Sequence, residues 1–395
     1  TEMHMRSIPM VLAVELAKAN SGNAIVGKTV SGVVKRADEI TELLAYYQMA
    51  NNRNDVKKLN RLSKQVQKGL SESFNRFDEY QFAKYNRDTE IKLRDALFLV
   101  HPKAKNDEQQ TIFNKIAVNE LAVPYTWETE LSALGQMKYE NDKAKVEAVK
   151  AKWEELIDSN KIGYMALMRN LRNILEAKVS VSHILKVCAY LSDETAVENS
   201  KQLPFRFLAA YREIRVLNSD LVTMILNALE DAVVASVKNL KGFDENTRVL
   251  IACDVSGSMQ KAITTKSKVL LFDIGLMLGM LMQSKCKRVV SGMFGDSWKV
   301  INMSNRNVLA NVNEFYKREG EVGYSTNGYK VIDDLIKREV EMDKIMLFTD
   351  CQLWDSKFGG SSLAKSWKTY KAMFPNAKLY LFDLAGYGTS PVSLQ

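Results

Sequence analysis

The chain is poor in the residues that catalytic and metal chemistry uses most. Histidine occurs three times in 395 residues, and none of the three falls in 247–395. That part therefore shows no general base of the usual kind. Cysteine occurs four times, as Cys188, Cys253, Cys286 and Cys351. Their spacing fits neither a zinc cluster nor a disulfide framework, and free thiols in a reducing, cytoplasmic setting are expected. No run of eighteen or more apolar residues occurs, so no membrane-spanning helix is expected. Glu15 and Lys18 interrupt the first twenty residues, which lack the pattern of a secretory signal. What remains is an ordinary globular composition, 46% hydrophobic and 26% charged, at a length that suits two or three domains.

The formal charge of +8 permits an anionic partner without requiring one. Its distribution is uneven. Lys161, Arg169, Arg172, Lys178 and Lys186 face a single acid, Glu176, within 161–191. Lys201, Arg206, Arg212 and Arg215 face only Glu213 within 201–215. Solvated helix faces would give the same pattern, so these clusters are candidates rather than sites.

Hydrophobic periodicity divides the chain in two. Residues 1–240 read as successive amphipathic helices joined by short polar turns. They are Ser7–Lys18, Asp38–Ala50, Phe77–Lys84, Thr89–Val100, Trp127–Leu134, Lys143–Ile157, Tyr164–Leu175, Ser180–Leu191, Pro204–Val216 and Ser219–Lys238. No strict sequence period is found, so stacked helical repeats would be degenerate ones. A polar stretch, Lys241–Thr247, ends this region. In 247–395 strands alternate with helices. The strands are Arg248–Cys253, Arg288–Phe294, Ser297–Met303, Lys344–Phe348 and Lys378–Leu384; the helices are Lys266–Gln283, Asn307–Arg318, Asn327–Arg338 and Ser362–Met373. This alternation predicts a doubly wound, mostly parallel sheet, with ligands at the carboxyl ends of its strands.

Asp254-Val255-Ser256-Gly257-Ser258 follows directly on the first of those strands. The aspartate and the two alternate hydroxyls can turn toward one point, where oxygen donors suit a hard cation, most simply Mg²⁺. Such an ion takes six oxygens at roughly 2.1 Å, so three side chains cannot complete its shell. Thr326, opening a helix, and Asp350, ending an apolar strand, stand where further ligands are needed. A chance helix cap would explain the pentapeptide alone. A phosphatase that uses an aspartate after its first strand would need a second carboxylate two residues on, where Ser256 stands.

These five positions resemble the metal-ion-dependent adhesion site of the von Willebrand A family. The resemblance implies that Ser256, Ser258 and Thr326 ligate the ion, directly or in part through water. Asp254 and Asp350 would act partly through water, and an open position would accept a partner's carboxylate.

Several stretches of the helical region carry a second resemblance. They are Met5-Arg6-Ser7-Ile8-Pro9-Met10, the run Asn75-Arg76-Phe77-Asp78-Glu79-Tyr80-Gln81-Phe82-Ala83-Lys84-Tyr85, and Leu93-Arg94-Asp95-Ala96-Leu97-Phe98-Leu99-Val100-His101-Pro102-Lys103. Trp127-Glu128, Met165-Ala166-Leu167-Met168-Arg169-Asn170-Leu171-Arg172-Asn173 and Pro204-Phe205-Arg206-Phe207-Leu208-Ala209-Ala210-Tyr211-Arg212 complete the set. Together they resemble the TROVE module of Ro ribonucleoproteins, in which a ring of HEAT-like helical repeats precedes a von Willebrand A-like domain. The fold so implied is α followed by α/β, with 1–240 as the helical RNA-binding domain and 247–395 as the metal-site domain. Against the family pattern the chain begins near the second or third helix and stops soon after Leu384, so an incomplete ring is expected.

The resemblance implies a non-enzymatic, cytoplasmic, monomeric scaffold for RNA quality control. It would bind small noncoding RNA of the Y type and the 3′ ends of misfolded RNA, with an exoribonuclease or other protein recruited through the metal site and no membrane involved. Lys84, Arg87 and His101 match the family's RNA-contacting positions most nearly, and Lys103, in the same stretch as His101, is a further candidate. Arg169 and Arg172, three apart on one helical face, and Arg206 are further candidates. Bland alternatives stand beside these: His101 before Pro102 could simply cap a helix, and the Arg169 pair could bind acids of a neighbouring repeat. The rival functions are a protein-interaction module that uses the metal site without RNA, and a metal-dependent phosphoester hydrolase.

Overall fold

The computed structural model describes residues 6–52, 62–86, 88–265, 267–302, 304, 306–351 and 362–386. Packing divides the chain into two compact units, Thr1–Lys138 and Tyr139–Gln395. Secondary structure changes character later than packing does. The helical residues after Tyr139 belong with the sheet.

The first unit holds α1 (Ser7–Ala19), α2 (Ala24–Val33), α3 (Asp38–Ala50), α4 (Lys64–Phe74), α5 (Glu79–Tyr85), α6 (Leu93–Val100), α7 (Asp107–Val118) and α8 (Trp127–Gln136). Its core draws one stripe from each of α1 to α7, including Val14, Val30, Leu44, Leu70, Phe82, Ala96 and Ile112. α2, α4 and α7 lie where the periodicity showed only loops. Helices α2 and α4 cross at glycines. A Cβ on Gly69 would lie 2.5 Å from the Gly27 carbonyl oxygen and 2.7 Å from Val30 Cβ. The close approach explains why glycine is kept inside a helix where alanine would be favoured by about 1 kcal/mol. Backbone cannot swing aside as a side chain can, so overpacking at about 1–3 kcal/mol outweighs that gain. Gly69→Ala is expected to lower stability by roughly 1 kcal/mol or more in urea melts; an increase would mean that the crossing is looser than described.

The second unit begins with α9 (Asp142–Asp158), α10 (Tyr164–Arg169), α11 (Leu171–Glu176), α12 (Val181–Ser192), α13 (Glu194–Ser200), α14 (Phe205–Ile214) and α15 (Val222–Ala235). The chain then builds β1 (Arg248–Asp254), α16 (Leu271–Met282), β2 (Arg288–Phe294), β3 (Trp298–Val300), α17 (Val308–Tyr316), α18 (Tyr329–Lys337), β4 (Lys344–Thr349), α19 (Leu363–Met373) and β5 (Lys378–Asp383). The sheet order is β3-β2-β1-β4-β5. β1 runs parallel to β2 and β4, β4 parallel to β5, and only the β2–β3 hairpin is antiparallel.

Both faces of the sheet are covered, as the near-continuous apolar strands require. Leu250, Ala252, Ile345 and Leu347 pack with Val331, Ile332 and Leu335 of α18 and with Leu363 and Tyr370 of α19. α16 covers the other face so closely that a Cβ on Gly275 would lie 2.5 Å from Cys253 Sγ. Two polar ties join the helices before the sheet to the helices around it. The Glu230 carboxylate accepts the Leu309 and Ala310 N–H groups at 3.1 and 2.9 Å, capping α17 from α15. Arg212 on α14 forms a buried ion pair with Asp273 on α16. All four cysteines are free thiols. No helix among the described residues is long and apolar enough to cross a membrane.

Candidate metal centre and nucleic-acid interface

Asp254 and Asp350 end adjacent parallel strands, with Cys253 opposite Phe348 in the register. The sheet extends from this pair in both directions, so their carboxyl ends border the crevice where strand order reverses. Asp254 is fully buried and Asp350 is 1% exposed. One Asp254 carboxylate oxygen accepts the Ser256 N–H at 2.9 Å, and the other accepts the Thr349 hydroxyl at 2.8 Å. The first bond folds the loop back on itself, and the Ser256 and Ser258 hydroxyls come within 3.1 Å of each other.

Thr326 is brought to the same end of the sheet by the β2–β3 turn. The Asn327 N–H donates to the Gly295 carbonyl at 3.1 Å, and the Ser297 N–H to the Val322 carbonyl at 2.9 Å. The Asp296 carboxylate accepts the Ser325 N–H at 3.2 Å. Gly323 sits at φ +77°, and a Cβ there would fall 2.0 Å from the same carboxylate. Thr326 itself is buried.

Loss of water around Asp254 pushes its carboxyl up to about 6, against hydrogen bonds from Ser256 and Thr349 that favour the charged form, and the Asp350 charge adds to the rise. Two buried acids, the Ser256 and Ser258 hydroxyls beside Asp254, and Thr326 at the same end of the sheet offer only oxygen donors, a chemistry that fits a hard divalent cation. Among the described residues no group of three or more His, Cys, Asp or Glu side chains could hold a metal. The set here has two acids, and its other donors are hydroxyls. Sequence reasoning missed Thr349, which orients Asp254, and Asp296, which anchors the Thr326 loop. The signals available were a hydroxyl just before the second strand-end aspartate and a Gly-Asp turn.

The basic candidates fall in both units. In the first, Lys84 is exposed in the last turn of α5. His101 ends α6 in the left-handed region at φ 48°, and its backbone N–H bonds Leu97. That cap is made by the main chain, and the imidazole is left exposed. Lys103 is exposed too, and its carbonyl accepts from the Asn75 side chain at 2.9 Å, tying this loop to the α4–α5 corner. Arg87 lies outside the described residues.

In the second unit the expected helix Tyr164–Leu175 is divided at Asn170 (φ −103°, ψ 6°), so Arg169 ends α10 and Arg172 lies in the first turn of α11. The buried Asn170 side chain donates to the Ala166 carbonyl and accepts from Asn173. This competition with the backbone is what breaks the helix. Arg172 pairs instead with Glu176 of its own helix at 2.7 Å. Arg169 and Arg206 are exposed, and the Arg206 guanidinium lies 5.6 Å from the Phe205 ring centre.

The TROVE domain family model matches residues 5–150 and 119–251, more than half of the chain. The chain belongs to the TROVE family. Telomerase protein component 1 of Mus musculus is 43% identical over 98 residues, and that of Rattus norvegicus 41% over 98. The shared segment is 25% of this TROVE chain and 3% of those relatives. The crystal structure of the Deinococcus radiodurans RO (RSR) protein superposes with a TM-score of 0.68 at 16% identity, covering 97% of this chain and 82% of that one. The fold of helices followed by an α/β sheet is thus shared along nearly the whole TROVE chain.

Proposed function

We propose that this TROVE protein is a non-catalytic RNA-binding scaffold of a ribonucleoprotein. Its ligands are small noncoding RNAs of the Y type and the 3′ ends of misfolded RNAs, and its setting is RNA quality control. The observation that carries the reading is the TROVE match across the helical residues, with basic side chains on those helices that acids do not neutralise. Among the described residues Lys84, Lys103, Arg169 and Arg206 form no ion pair, whereas Arg172, Arg212 and Lys186 do. The first group, with the exposed His101, is the part of the charge that can meet phosphates and bases.

Asp254, Ser256, Ser258, Thr326 and Asp350 are proposed to hold Mg²⁺. The bound ion would supply a positive centre for an acidic side chain of a partner protein, such as an exoribonuclease. The chain's own part is to bury the two carboxylates and fix the hydroxyls around them. Hydrolysis is disfavoured, since no histidine occurs in 247–395 to serve as base.

Binding of a 3′-tailed RNA should weaken steeply with salt. Lys84→Ala should flatten the plot of log K against log salt by about 0.7–0.9, the loss of one phosphate contact. RNA turnover by the purified protein, abolished in Asp254→Ala, would sink the scaffold reading in favour of a hydrolase.

A further inference from the structure

The outer face of α5 pairs an exposed aromatic ring with an ammonium, that of Lys84, which forms no ion pair among the described residues. Tyr80 is 46% exposed. Lys84, one turn further along the same face, places its Nζ 5.5 Å from the Tyr80 ring centre and 5.8 Å from that of Tyr85. The Arg36 guanidinium lies 4.3 Å from the Tyr85 ring centre. Arg36 is itself bound through two nitrogens by Asp38. Its charge is spent, and it serves as a buttress for the ring. The two acids that open α5 are engaged as well. Glu79 holds Lys115 and the Ala122 N–H, and Asp78 caps the Gln81 N–H.

The inner face makes this helix a rigid base. Phe82 is fully buried, 5.8 Å from both the Phe74 and the Phe77 ring centres. A reciprocal capping box between Asp78 and Gln81 fixes the first turn. A side chain presented from such a base loses little freedom when a ligand arrives.

We propose that Tyr80 is a stacking seat for one unpaired nucleobase, with Lys84 beside it for the phosphate of the same nucleotide. A nucleotide carries a flat π face and an anion within one residue, and this pair of side chains offers the complement of both. The inference rests on the RNA-binding reading. It adds that part of the affinity is stacking, which salt does not screen, and that this part is confined to unpaired residues because a base within a duplex has no free face.

The test uses the full chain with two fluorescein-labelled probes, a single-stranded oligoadenylate and a blunt duplex, titrated across a salt series. Tyr80→Ala is expected to weaken binding of the single strand by about ten-fold or more with the salt slope unchanged. It should leave the duplex nearly unaffected, and Tyr80→Phe, which keeps the ring, should restore most of the loss. Lys84→Ala should instead reduce the slope. A melting curve of Tyr80→Ala matching that of the parent protein excludes a folding defect. Equal single-strand affinity in Tyr80→Ala and the parent overturns the seat while leaving the RNA reading intact. So does a loss shared equally by the duplex, or one that Tyr80→Phe does not restore. If the parent protein binds neither probe at low salt, the RNA reading falls and the seat falls with it.

Discussion

Arg212→Met is expected to destabilise the second unit by about 3–5 kcal/mol. Asp273 is completely buried in the first turn of α16. Its carboxylate is met by both terminal nitrogens of Arg212, with the second bond at 2.9 Å, and by the Leu270 N–H at 2.7 Å. Burial pushes the Asp273 carboxyl upward, and the guanidinium opposes that shift. Removing the guanidinium leaves a buried acid that must either keep an uncompensated charge or take up a proton. Both routes cost far more than an exposed, solvent-screened ion pair such as Arg172–Glu176 contributes. Urea denaturation at neutral pH measures the loss. The companion variant Arg212→Met/Asp273→Leu replaces the pair with apolar groups of similar bulk and should recover most of it, because the desolvation of both ions is then relieved. A single variant as stable as the parent would show that the acid reaches solvent. Arg212 should also contribute nothing to the salt slope of RNA binding, since the pair withdraws it from the basic surface.

Arg212 shows where sequence reasoning stops. Counting signs placed it among four cations facing one acid, but its partner lies sixty-one positions away and is not visible to a local count. Lys186 is similar, held by Asp158 of α9 at 2.6 Å. Local patterns were read more securely. Asp38–Ala50 has the expected bounds, and each strand of the sheet lies within its expected segment except that β1 and β4 run one residue further. Long apolar runs between polar turns leave few alternatives.

Two of the helices that went unread, α2 and α4, share a physical reason. α2 carries Gly27 and Gly32 with several β-branched residues, and α4 carries Gly69 among polar neighbours. Both have poor intrinsic propensity, which a tertiary crossing at the glycines overrides. The juxtaposition of Asp254 and Asp350 was legible because strand-end position is a topological signal: the reversal of strand order puts the two side by side whatever lies between them. The support around it was not legible. Thr349 and Asp296 act through hydrogen bonds whose partners only the folded chain brings near.

Mg²⁺ is expected to raise the melting temperature of the protein, and Asp254→Asn to abolish that response. At a concentration near one hundred times its dissociation constant, an ion that binds only the folded chain adds about 2.7 kcal/mol. For a unit of this size that is roughly 5–10 °C. EDTA should reverse the shift. The variant separates this effect from ordinary stabilisation because the two charges act in opposite directions with and without the ion. Without it, Asp254 and Asp350 repel across a buried site, which is part of why the Asp254 carboxyl rises to about 6. Neutralising one of them should leave the metal-free melting temperature unchanged or higher, since asparagine still offers an oxygen to the Ser256 N–H. With the ion, the same change removes an anionic ligand, and the gain should disappear. A melting temperature of the parent protein indifferent to Mg²⁺, Mn²⁺ and Ca²⁺ would rule out a cation site. Asp254→Asn that loses stability equally with and without Mg²⁺ would make the buried pair a purely structural feature, oriented by Thr349 and Ser256 for packing rather than for an ion.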